Sequence, residues 1–211
     1  DQGHDVHVAY QTSGNTAVWD DDALRFVEFA KDFSHSLNID IAKLDTLYCD
    51  MRKFLAAKQP NQVDTPEIQT VKGLIRKGEA ISGARYAGLN DDHIHFMSLP
   101  FYEIGKIKPQ SIGEEDIHLT MDLLQKVKPH QVFAAGDFAD PHGTHKRCFD
   151  IILTALQRLQ KTESWVKDCW LWMYRGAWHE FETHEIEMAV PLSPQEVEKK
   201  RLAIFKHQSQ K

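Results

Sequence analysis

The chain has 211 residues, a mass of 24.3 kDa and a formal net charge of -6. With 42% hydrophobic and 27% charged residues it has the make-up of a soluble folded protein, which excludes a wholly disordered chain. No apolar run reaches ~18 residues, so no membrane span is expected, and the acidic balance argues against nucleic acid as a partner.

Gly3 followed by the alternating Val6, Val8 and Tyr10 reads as a helix ending and a strand beginning over residues 5–11. That is an unusual way for a protein to start, so further residues are expected upstream. Residues 12–15 form a loop. Asp20, Asp21 and Asp22 then supply acid to the positive end of a helix carrying Leu24, Phe26, Val27 and Phe29. A second helical pattern runs over residues 41–58, through Ile41, Leu44, Leu47 and Phe54, and Pro60 ends it. Thr65 as N-cap and Pro66 at the first position open a long helix to about Ala87, where Gly88 stops it.

Residues 93–98 suit a short strand and 113–128 a helix. Residues 131–135 are a compact apolar run of the buried-strand type. A loop at 136–143 leads into a helix over about 144–160. Residues 166–174 and 179–190 read as strands, and Ser193-Pro194-Gln195-Glu196 begins a terminal helix. Strands alternating with helices point to an α/β sandwich with a largely parallel sheet, and nothing calls for cutting the chain into two domains. Cys49, Cys148 and Cys169 show no CxxC spacing, so reduced, mostly buried thiols in a cytoplasmic protein are expected.

The densest chemistry lies in residues 136–145, which contain Asp137, Asp140, His142 and His145. This loop follows an apolar strand and leads into a helix, where open α/β sheets bind ligands. In the first helical turn, His142 and His145 would share one face. One would then bind a metal while the other meets substrate, with Asp137 or Asp140 orienting an imidazole from behind. The same residues also suit an Asp-Pro turn, a helix cap and two solvated histidines. Arg76 is a candidate for a substrate hydroxyl or phosphate, or else a partner of Glu79 or Glu67. Tyr174 or Arg175, at a strand end, would line the cleft, and Asn15 with Ser13 would contact a sugar or simply shape a turn. Trp170, Trp172 and Trp178 are read as core. His179 and His184 fall on opposite strand faces, so no shared metal is expected. Neither the GxxxxGK[ST] phosphate loop nor a GxSxG elbow occurs.

The loop's HxxH after a buried strand resembles a metal-site motif of the LmbE-like (PIG-L) de-N-acetylases. Residues 3–12 resemble the family's second strand, Arg76-Lys77-Gly78-Glu79-Ala80 its RxxEA helix with the small residues of 85–88 after it, and His207-Gln208-Ser209-Gln210 its terminal HxSQ helix. The motifs stand in family order over nearly the whole chain. Residues 137–145, 174–178 and 205–211 look most like a subgroup attached behind the sugar-isomerase domain of certain bacterial glucosamine-6-phosphate deaminases.

The resemblance implies a single LmbE-like domain over 1–211, a Rossmann-like three-layer sandwich lacking its first strand. It implies zinc with His145 as a ligand, and His142 stabilising a tetrahedral intermediate. The family's HPDD motif, which supplies two further ligands and a base, has no match; His4-Asp5 and Asp91-Asp92-His93 stand in the wrong context. The zinc set is thus incomplete, and this chain alone is expected to bind zinc poorly. The functions implied are de-N-acetylation of an amino sugar or related amide, or an auxiliary role beside a fused or associated sugar isomerase. A third option is an α/β domain that binds a sugar phosphate without catalysis. The oligomeric state is left open, with a homo-oligomer among the options.

Overall fold

The computed structural model describes residues 3–40, 42–106, 108–176 and 179–210. Ile41 and Trp178, both named from the sequence, lie outside the described residues. The fold mixes helix and strand, with β1 (Val8–Tyr10), α1 (Asp20–Ser36), α2 (Ala42–Ala57), α3 (Pro66–Ala87) and β2 (Ile94–Phe96) in the first half. The second half adds α4 (Glu114–Val127), β3 (Gln131–Ala135), α5 (Thr144–Leu159), β4 (Trp170–Tyr174) and α6 (Pro194–Ile204). The described strands form two two-stranded sheets, β1 with β2 and β3 with β4. Two compact units result, residues 1–12 with 95–195 and residues 13–94 with 196–211.

In the first unit, β3 and β4 run parallel, with Gln131 opposite Trp170 and Ala135 opposite Tyr174. One face of this sheet offers Val132 and Leu171 to a core made by Ile117 and Leu124 of α4 and Ala155, Leu156 and Leu159 of α5. The opposite face is open, and this corrects the reading of Trp170 as core: it is 65% exposed, stacked on Trp172 at 5.8 Å. Alternation along the strand fixes that outcome, since Trp170, Trp172 and Tyr174 point away from the helices. Leu99, Phe101, Tyr102 and Ile151 form a second cluster. Beside it, buried Asp116 accepts the backbone N–H of Phe101 at 3.0 Å and of Gly113 at 2.7 Å, tying α4's first turn to the loop before it.

The strand expected over 179–190 does not form among its described residues. Its alternation loses phase between Phe181 and Ile186, and residues 183–185 close a 3-10 turn instead. There the Glu185 N–H donates to the Glu182 carbonyl at 2.9 Å, and the Glu185 carboxylate accepts from the Glu182 N–H at 3.0 Å.

The second unit is helical. Ala23, Val27, Met51 and Ile68 from α1, α2 and α3 make its core. The α3 ends follow the sequence: Thr65 Oγ1 accepts the Ile68 N–H at 3.4 Å, and Gly88 (φ 108°) closes the last turn in a left-handed conformation. Buried Lys72 is neutralised by Asp20 (2.5 Å) and Asp64 (2.7 Å), and Lys58 pairs with the same two carboxylates. Burial alone would raise the Asp20 pKa, but the two ammonium groups hold it below its ordinary value. No helix among the described residues is long and apolar enough to cross a membrane.

Candidate functional site

The loop between β3 and α5 begins at Gly136, which is buried at a point of close backbone approach. A Cβ there would lie 2.7 Å from Met173 Cβ. Gly136 donates its N–H to the Tyr174 carbonyl at 2.8 Å, and its own carbonyl accepts from Arg175 Nε at 3.2 Å. The end of β3 is therefore clamped against the end of β4, and this fixes where the loop starts. Asp137, also buried, accepts the His179 backbone N–H at 3.2 Å.

Asp140 organises the rest of the loop. One carboxylate oxygen accepts the His142 N–H at 2.9 Å, and the other accepts those of Thr144 at 2.8 Å and His145 at 3.1 Å. Gly143 precedes the helix with φ 69° and offers no side-chain cap, so Asp140 meets the donors of the first turn from three residues further back. Burial by itself would raise the Asp140 pKa. The three amides, helped by the His145 ring, outweigh it and hold the carboxyl below its usual range. Asp140 thus acts on backbone amides, where the sequence suggested a role in orienting an imidazole.

The loop brings His142 and His145 to one helix start, but in different states. His142 is exposed, while His145 is half-buried and its Nδ1 is buried with no hydrogen-bond partner. An imidazole nitrogen in that condition fits a metal ligand. Asp140 already accepts three amide N–H groups, one on one oxygen and two on the other. The loop fits one ligand of a zinc ion, short of the three that a catalytic site uses.

Asn15 and Arg76 belong to the second unit, with a different polar cluster. Arg76 Nη1 donates to Glu79 Oε2 at 3.2 Å, which realises the partner named from sequence. Glu79 also accepts from Ser209, the backbone N–H on Oε1 and the hydroxyl on Oε2, both at 2.7 Å. Gln210 Nε2 donates to the Ala17 carbonyl at 3.0 Å. A Cβ on Gly14 (φ 65°) would come within 3.1 Å of Arg76 Nε, so the loop backbone lies directly against this guanidinium. Asn15 is 4% exposed, and its Oδ1, like Arg76 Nε, is buried without a partner. Both atoms are sealed from solvent. Burial, and next the charge of Arg76, push the His207 pKa below its ordinary 6.5, against the pull of Glu79.

Tyr174 ends β4 with its side chain largely exposed, and desolvation of the phenol raises its pKa. All three cysteines are free; Cys49 is exposed, and burial pushes the Cys148 thiol up to about 12. One pairing escaped the sequence reading. His7 Nδ1 lies 2.9 Å from His95 Nε2, and Asp5 lies 3.6 Å from the other nitrogen of His7. The available signal was a histidine inside each of two short apolar stretches, Val6-His7-Val8 just before and into β1 and Ile94-His95-Phe96 in β2.

No family model matches the chain, and no solved structure matches it. The chain is similar to a glucosamine-6-phosphate deaminase-like protein of Bacteroides thetaiotaomicron, with 49% identity over 213 aligned residues covering the whole of this chain. It spans only 32% of that relative's length, about a third.

Proposed function

We propose that the chain forms the LmbE-like part of an amino-sugar-handling protein, a zinc-dependent hydrolase-like domain that removes an acyl group from an amino sugar or related amide. In this reading residues 1–211 belong to one Rossmann-like α/β domain, and His145 contributes one zinc ligand while the others lie outside the 136–145 loop. The observation that carries it is the buried, unpartnered Nδ1 of His145 at the start of the helix after β3. Support comes from the name of the relative, which refers to an amino-sugar phosphate. A zinc ion at such a site supplies a bound water of lowered pKa and polarises the amide carbonyl.

The chain's own residues have simpler tasks. Asp140 holds the loop by its amides, while His145 would present its nitrogen and exposed His142 would face developing negative charge. Arg76 and Asn15 would offer a donor and an acceptor to substrate hydroxyls. Tyr174, in the other unit, would border a substrate at the 136–145 loop.

The test uses the intact protein, with zinc measured by elemental analysis and hydrolysis assayed on N-acetyl amino sugars. His145→Ala is expected to lower both zinc content and turnover, whereas His142→Ala should spare zinc and lower turnover. Undiminished zinc and activity in His145→Ala would overturn the assignment. A second reading is an auxiliary, non-catalytic domain of a glucosamine-6-phosphate deaminase-type isomerase. It is favoured by the loop's having one ligand and an acid committed to backbone. Intact protein with no zinc and no amidase activity would select it.

A further inference from the structure

Helix α1 turns Ala23 and Val27 to the core of its unit. About a quarter of the way round the helix, Phe26, Phe29, Phe33 and Leu37 follow one another at spacings of three and four, and so form one stripe that runs past the helix's last residue. Each remains 45% to 67% exposed, and the Phe29 and Phe33 rings stack at 5.9 Å. Given the size of such side chains, the stripe shows on the order of 400 Å² of apolar surface to water. A patch of that extent is about the largest that a monomeric soluble protein usually shows, and such patches are often functional.

We propose that this stripe is a self-association surface, on which α1 of one copy packs antiparallel against α1 of a second copy about a twofold axis near Phe29. The charges choose the occupant and its direction. Arg25 and Asp32 are seven residues apart, so they lie on the same flank of the stripe, four residues before Phe29 and three after it. Antiparallel helices related by a twofold axis meet flank to like flank. Each Arg25 then faces the partner's Asp32, and symmetry makes the pair twice.

Antiparallel packing also sets the two helix dipoles in opposition. A parallel pairing would instead set the two acidic turns together. Within one copy, Arg25 bonds Asp22 at 2.8 Å and Asp32 lies 3.6 Å from Lys31. Arg25 and Asp32 are the exposed members of these pairs, so they can exchange to the new ones. Two stripes together cover less than a standard interface, so the dimer is weak and concentration-dependent. This inference is independent of the proposed function.

Sedimentation equilibrium of the 211-residue chain, from micromolar to submillimolar concentration, tests it. The chain is expected to dimerise reversibly, and Phe29→Glu to stay monomeric with an unchanged circular-dichroism spectrum and melting temperature. Arg25→Glu or Asp32→Arg alone should weaken the dimer by about tenfold. The double variant Arg25→Glu/Asp32→Arg should restore it. A chain that is monomeric throughout, a dimer that survives Phe29→Glu, or a double variant no tighter than the singles would each overturn the proposal.

Discussion

The two polar clusters use their central acid in opposite ways. In the first unit, Asp140 satisfies three amides within five residues of itself, so its carboxylate builds local structure and leaves an imidazole over. In the second, Glu79 gathers Ser209 from 130 residues away along with Arg76 from its own helix. The same functional group is a loop organiser in one place and a long-range fastener in the other. The lesson is that a buried acid is informative about function only after its partners are counted.

Glu79 is the position at which breaking this contrast costs most. Glu79→Ala removes both Ser209 bonds and leaves the half-buried Arg76 without its carboxylate, so a loss of about 3 kcal/mol is expected in urea unfolding. Gly136→Ala comes next, because its methyl must displace Met173 across the β3–β4 contact. About 2 kcal/mol is expected for that overpacking, with β3–β4 amides losing hydrogen-exchange protection first. Asp140→Ala should cost about 1 kcal/mol, as for other lost helix caps. Its effect should be confined to amides of residues 142–147, and a loss as large as that of Glu79→Ala would erase the distinction.

The smallest effect sharpens the comparison by pH. The folded pKa of His207 is depressed, so the unfolded chain binds its proton more readily. Its contribution to stability is complete above the ordinary value of 6.5 and falls as pH drops from there toward the lower folded value. A modest decline in the stability of the second unit is expected across that window. It should disappear in His207→Gln.

Local signals were read well. The apolar run at 131–135 became β3 without a residue's difference, and Thr65, Pro66 and Gly88 marked both ends of α3, because each is decided by neighbours in the chain. The 179–190 segment misled because its alternation shifts phase halfway, and a Glu-rich turn took the backbone bonds. Trp170 misled because hydrophobic type does not say which sheet face is covered.

In the candidate site, the loop and its two histidines were legible from position and density. The difference in their burial was not, since which imidazole nitrogen is left unpartnered depends on tertiary packing. The Arg76–Glu79 pair could be named from spacing on one helix. No local pattern announces that Ser209 completes it.

The contrast among the thiols makes the chain selective toward electrophiles. Cys148, held protonated well above neutral pH, and half-buried Cys169, whose pKa burial also raises, should be slow to alkylate. Exposed Cys49 on α2 is then the natural attachment point for a maleimide dye or spin label. It provides a reporter in the helical unit without altering the sequence.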